Sequence, residues 1–181
     1  MNNKIVIITG IQGSGKTSLL LRLVSGLSNY GMIPGGFTTE GFWDLNTRSR
    51  FELVDLITGK RILFCSKIQQ LNWYKTGQFY INPEAVRFGE GLLDPDRIIN
   101  SDFVSIDEIG PFEIGGNGWT EAIHKIADFL PDQSMIWVVR SSLLQKVIEY
   151  FELQNYFTLS TENVQAPGWI GKVAEFIGHR Q

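Results

Sequence analysis

The chain has 181 residues, 43% hydrophobic and 19% charged, a composition that suits one globular domain with its own core. A net charge of −3 offers no basic stripe for DNA or RNA, so a nucleic-acid partner is not expected. One cysteine, Cys65 in the apolar run Ile62-Leu-Phe-Cys65, excludes an internal disulfide framework and reads as a small buried hydrophobe in a reducing compartment.

The chain opens on a strand pattern instead of a charged leader, and no run approaches about 18 apolar residues. A cytoplasmic protein without a membrane segment is expected. Residues 5–8 are β-branched throughout and predict a buried strand, while Leu19, Leu20, Leu23, Val24 and Leu27 recur at helical spacing and predict a helix fading near 29–31. Between them stands Gly10-Ile11-Gln12-Gly13-Ser14-Gly15-Lys16-Thr17, which matches G-x-x-x-x-G-K-[ST]. In such a loop glycines let backbone N–H groups converge on phosphate oxygens, the lysine neutralises the β and γ phosphates, and the threonine hydroxyl ligates Mg²⁺. Residues 10–17 and the adjoining Ser18 are therefore the candidates to hold a nucleoside triphosphate, with Thr17 also a metal ligand.

Residues 32–39 contain Pro34, Gly35 and Gly36 and read as an irregular approach to a short strand. Short β-like runs follow at 40–43, 50–56 and 61–66, separated by the turn compositions Asp44-Leu-Asn-Thr-Arg48 and Thr58-Gly59. They predict an antiparallel insertion over about 40–66. Phe42, Trp43, Trp73 and Tyr74 either stack on a base or pack within this region. Residues 69–78 show no period and are expected to be a loop; 79–81 follow as an apolar run, and Pro83 opens a helix to about residue 93.

From Asp102 onward strands and helices alternate: strand 103–106, helix 119–130 carrying His124 on its surface, strand 135–139, helix 143–151, strand 156–159 and helix 169–177. His179 lies in a tail expected to fray. Neither histidine has metal-ligand spacing, which argues against a zinc site or a histidine triad. The alternation predicts an α/β fold, a mostly parallel sheet flanked by helices in the three-layer P-loop NTPase arrangement, with the small hairpin insertion and one domain over 1–181.

The strand at 103–106 runs into Asp107-Glu108, at the edge where ligands of open α/β sheets collect. Asp107 is the expected Mg²⁺ ligand, directly or through water, and Glu108 the carboxylate that accepts a proton from an attacking water. Glu113 either orients a loop or water or is a plain surface carboxylate. Arg140, at the end of the 135–139 strand, contacts the γ-phosphate or makes a structural salt bridge, and Asn163, after the last strand, hydrogen-bonds the base or caps the next segment.

In order, the loop at 10–17, Gly35-Gly-Phe-Thr-Thr-Glu40, R-x-x-F-x-L-V-D-L over 48–56, Gly77-Gln-Phe-Tyr80, Asp107-Glu-Ile-Gly-Pro-Phe-Glu113 and Thr161-Glu-Asn163 resemble the THEP-type (cancer-related) nucleoside-triphosphatases. The resemblance spans Lys4 to about Val164. It implies a Mg²⁺-dependent enzyme that slowly hydrolyses ATP, GTP, CTP and UTP to diphosphate and phosphate with little base preference. It assigns the phosphate and metal roles to Lys16 and Thr17, the metal role to Asp107 and the base role to Glu108. The chain departs from the family pattern at Phe42 and Val164, where arginine is usual, and at Arg50, where glycine is usual; Arg48 or Arg50 is the candidate to replace the first guanidinium. Two rivals share the loop: a nucleotide or small-metabolite kinase, and a nucleotide-dependent switch that binds a partner protein. Protein partners are not legible in the chain, and a monomer is the working expectation.

Overall fold

A computed structural model describes residues 1–45, 47–162, 164 and 168–178. The buried run after Lys4 becomes β1, Ile5–Gly10, and the loop that follows feeds α1, Lys16–Asn29. Next come β2 (Pro34–Asp44), β3 (Thr47–Asp55), β4 (Arg61–Ser66), β5 (Tyr74–Thr76) and β6 (Phe79–Ile81). Two helices, α2 (Pro83–Leu92) and the one-turn α3 (Pro95–Ile98), lead to β7 (Phe103–Ile109), α4 (Pro111–Ile114) and α5 (Thr120–Phe129). The chain closes with β8 (Ser134–Arg140), a 3₁₀ turn running into α6 (Leu144–Tyr150), β9 (Tyr156–Ser160) and α7 (Trp169–Ile177).

The nine strands of the described residues join one sheet in the order β5-β6-β4-β3-β2-β7-β8-β1-β9. β7, β8, β1 and β9 are mutually parallel, and β2 joins them through a parallel pairing of Pro34, Gly35 and Gly36 with Phe103, Val104 and Ser105. Alternation along the parallel strands sorts side chains to two faces. Val6, Ile8, Ile136 and Val138 pack under Leu20, Leu23 and Leu27 of α1 and Val173 of α7. Ile5, Ile7, Met135, Trp137 and Val139 face Ile123 and Ile126 of α5 and Val147 of α6. This is the expected three-layer α/β fold. Among the described residues no helix is long and apolar enough to cross a membrane.

Three expectations are corrected. Residues 32–39 are not an irregular approach: one 11-residue strand, β2, runs through them. Gly36 has φ +77°, and a Cβ there would lie 2.1 Å from the Ser105 carbonyl oxygen, so glycine lets the strand turn from its parallel neighbour to its antiparallel one at close quarters. The antiparallel part extends well past residue 66, because β4 pairs with β6 and β6 with β5. Residues 69–78 hold a strand of their own, β5, paired across a two-residue turn whose Gly77 has φ +58°. All three β5 residues are exposed, which is why no apolar period betrays them.

The acids also lie inside a strand instead of at its end. β7 continues to Ile109, and its register against β8 slips between Asp107 and Ile109, leaving Glu108 as the extra residue of a bulge. Asp107 is thereby buried, at 1% exposure, while the neighbouring Glu108 side chain is 36% exposed. The peptide between them is cis.

Candidate active site

The parallel pairing sets the site. Gly10 lies opposite Arg140 at the carboxyl ends of β1 and β8, and Asp107 of β7 lies opposite Val138 one strand further on. The loop from Gly10 to Thr17, the two acids and Arg140 therefore converge on one edge of the sheet. Gly13 and Gly15 have φ of +80° and +87°, backbone that glycine adopts at no steric cost. A Cβ on Gly10 would sit 2.3 Å from Thr161 Oγ1 and 2.4 Å from Ser14 Oγ, so the β1 end must stay bare to let these strand-end loops close. Thr161 Oγ1 donates to Ser14 Oγ at 3.0 Å, tying the segment after β9 to the phosphate loop.

Lys16 opens α1 and donates from Nζ to the Ile11 carbonyl at 2.8 Å, folding its ammonium back over the loop. Burial lowers its pKa, with the Glu108 carboxylate opposing that shift. Thr17, one residue on, donates from Oγ1 to Asp107 Oδ2 at 3.1 Å. The same carboxylate oxygen accepts from Thr38 Oγ1 at 3.1 Å and from the Thr39 amide at 3.0 Å, both on β2. Burial pushes the Asp107 carboxyl up to about 6, and these three donors hold it back from rising further.

No group of three or more His, Cys, Asp or Glu gathers among the described residues. The donor set that does gather, one hydroxyl and one carboxylate, is hard oxygen chemistry and matches the way Mg²⁺ uses few protein ligands alongside water and phosphate oxygens. Glu108 Oε1 accepts from Arg140 Nε at 2.5 Å, so the bulged acid and the arginine at the end of β8 form an ion pair beside the loop.

Glu113 is not a surface carboxylate. It is 4% exposed, its Oε2 accepts from the Gly110 amide at 2.8 Å at the start of α4, and burial pushes its carboxyl up to about 7. Gly118 makes room for it: a Cβ there would lie 2.2 Å from Glu113 Oε1.

The antiparallel strands complete the site, and here single residues were harder to foresee. Thr38 and Thr39 read as ordinary strand residues, although they sit in the Gly-Gly-Phe-Thr-Thr-Glu motif. Of the two candidate arginines for the missing guanidinium, Arg50 is exposed and stacks on Phe42 at 4.8 Å, its register partner. Arg48 lines the same cavity as Lys16 and Asp107, with its guanidinium 5.3 Å from the Trp43 ring and 5.6 Å from the Phe51 ring. Its buried Nε has no hydrogen-bond partner among the described residues. That cavity, about 510 Å³, runs from the phosphate loop under the antiparallel strands. A smaller recess of about 240 Å³ shares Gly15 and Ser18 with it and is lined further by Ser14, Arg22, Thr161 and Val164. Asn163 lies outside the described residues. Trp43 and Tyr74 stand in the large cavity, not the small recess. Cys65 is buried as expected, its thiol pushed up to about 12, and His124 is on the exposed face of α5.

The family model described as NTPase matches residues 5–167. A protein from Hyperthermus butylicus named Nucleoside-triphosphatase THEP1 is 30% identical over 124 residues, covering 68% of this chain but 65% of that relative, just under two thirds of its length. Another of the same name from Thermococcus kodakarensis is 27% identical over 164 residues, covering 89% of this chain and 88% of its own. The crystal structure of THEP1 from Aquifex aeolicus superposes with a TM-score of 0.72 at 20% identity, covering 97% of this chain and 99% of that one. The chain belongs to the THEP1-type family of nucleoside-triphosphatases, enzymes of the hydrolase class built on the P-loop fold.

Proposed function

We propose that this chain, acting in the cytoplasm as a single-domain monomer, hydrolyses nucleoside triphosphates to diphosphate and phosphate with Mg²⁺. ATP, GTP, CTP and UTP all serve, turnover is slow, and the base is weakly discriminated. The observation that carries this reading is the direct bond between Thr17 of the phosphate loop and the buried Asp107, with Glu108 bulged out beside them. Hard oxygen donors, a loop lysine and a half-exposed carboxylate are the parts that phosphoanhydride hydrolysis needs in one place.

The triphosphate lies along residues 10–18, its oxygens met by loop amides and by Lys16, which turns from the Ile11 carbonyl toward the phosphates. Thr17 and Asp107 hold the metal, which when bound neutralises triphosphate oxygens. Glu108 orients the attacking water and takes its proton. Arg140, paired with Glu108, and Arg48, reaching in from β3, meet negative charge as it spreads over the γ-phosphoryl oxygens. The nucleoside leaves toward the small recess beside Ser18 and Thr161, whose described lining holds no aromatic ring to grip one base over another.

The test is steady-state phosphate release over the four triphosphates with and without Mg²⁺, beside Glu108→Gln. Release with every base, lost on chelation and reduced at least about 100-fold by Glu108→Gln with nucleotide binding kept, is the expected result. Equal turnover by the Glu108→Gln protein would remove Glu108 as the base; no release with any triphosphate would move the chemistry to transfer.

A further inference from the structure

A hydrolytic site needs room for one water beyond the γ-phosphate, on the order of 30 Å³. The cavity here is about 510 Å³ in all; besides Gln12, Gly13, Lys16 and Thr17 of the phosphate loop it takes in a wall of the antiparallel strands that the phosphates do not use. That volume falls within the range of roughly 300–1,000 Å³ typical of small-molecule sites. Its far wall is apolar and assembled from four elements and a loop: Phe51 of β3, Phe64 of β4, Phe79 and Ile81 of β6, Val86 of α2, and Trp119 just before α5. The first five are only half-buried, so apolar surface is left facing the space. At the lip Trp43 is 65% exposed. The same cavity is lined by Arg48, whose buried Nε lacks a partner among the described residues, and by Glu113, a buried carboxylate.

We infer that this chamber is an acceptor site, in which a small alcohol with an aromatic or aliphatic ring is held against the apolar wall and receives the γ-phosphoryl group. The inference rests on the triphosphate lying along residues 10–18. In the transfer the bond between the γ-phosphorus and its bridging oxygen to the β-phosphate breaks, and a bond from the acceptor oxygen to phosphorus forms. The hydroxyl proton passes to the Glu113 carboxylate; the diphosphate leaves and the product is a phosphomonoester. Hydrolysis, with Glu108 taking the proton of water, is the competing outcome when no alcohol is bound. The apolar residues of the wall favour a ring, while Lys67, Tyr74, Thr76 and Gln78 line the same cavity and can meet a polar substituent on it.

The test uses full-length protein with Mg-ATP and three probes: benzyl alcohol, cyclohexylmethanol and para-hydroxymethylbenzoate, the last adding a carboxylate for Arg48. Saturation-transfer NMR with a nonhydrolysable ATP analogue reads binding, and ³¹P NMR with ATP reads transfer. At least one probe should bind, and its phosphomonoester should appear in step with ADP. Val86→Trp, which fills the chamber, should remove probe binding and ester at least 10-fold while thermal melting shows a folded protein. Glu113→Gln should keep binding and lose transfer about 100-fold. Free phosphate from ATP with no probe bound and no ester would overturn the acceptor site while leaving hydrolysis standing; no ATP turnover or binding at all would instead remove the triphosphate site beneath both. A probe that competes with ATP for the nucleotide recess, or ester formation unchanged in Val86→Trp, would also overturn it, and unchanged transfer by Glu113→Gln would overturn the proton route.

Discussion

The parallel and antiparallel halves of the sheet build the site in different ways. β1 is buried at all six positions and β8 at six of seven, so both strands are sealed on two faces and deliver Gly10 and Arg140 to the edge by backbone pairing. β3, β4 and β6 are largely half-buried and contribute through side chains: Arg48, Phe51, Phe64 and Phe79. On the proposed reading the floor holds the triphosphate, while the antiparallel roof lines the rest of the cavity. The two meet at β2, which pairs with both and supplies Thr38 and Thr39 to Asp107.

Substitutions at the floor should have the largest effect on turnover. Lys16→Ala removes the cation over the phosphate loop and is expected to lower kcat/KM about 1,000-fold, with nucleotide affinity falling as well; phosphate release and equilibrium dialysis would check it. A smaller loss, with affinity intact, would mean that Arg48 in the roof carries the charge instead. At the seam, Gly36→Ala places a Cβ 2.1 Å from the Ser105 carbonyl at a positive φ. A cost of about 3 kcal/mol is expected, seen as a melting temperature lower by roughly 6–12 °C. In the roof, Arg48→Gln should lower kcat about 10-fold with KM nearly unchanged, and Arg48→Lys should restore only part of it, because a lysine cannot keep the stacked planar contact with Trp43 and Phe51. If KM moves and kcat does not, Arg48 holds the ground state instead of meeting developing charge.

The same division explains what could be read in the amino-acid sequence. Buried parallel strands print as continuous β-branched runs, and a phosphate loop needs glycine and lysine at fixed spacing, so residues 5–17 and Asp107-Glu108 stood out. The roof strands are exposed on part of each face and carry no clean alternation, which hid β5 and set the insertion's boundary too early. The bulge at Glu108 depends on register against β8, a long-range property with no local signature. Thr38 and Thr39 look like strand formers until Asp107 is set beside them, and Arg48 became distinguishable from Arg50 only once one arginine faced the cavity and the other the solvent.

Glu113 offers the smaller of the two stability effects and tests where floor and roof touch. Its carboxyl is held near 7 against an ordinary 4.5, chiefly by burial, with the charge on Glu108 adding to the shift. Because the folded pKa is raised, folding favours the protonated acid, and that contribution is complete below about pH 4.5 and lost as pH rises through about 7. Glutamine mimics the protonated form and can still accept the Gly110 amide. Glu113→Gln should therefore melt with the wild type at pH 4.5 and increasingly above it toward pH 7, where the gap should reach a few degrees, on the order of 2 kcal/mol. A gap that stays flat from pH 4.5 to 7 would mean that Glu113 remains ionised under the roof, with water reaching it through the chamber.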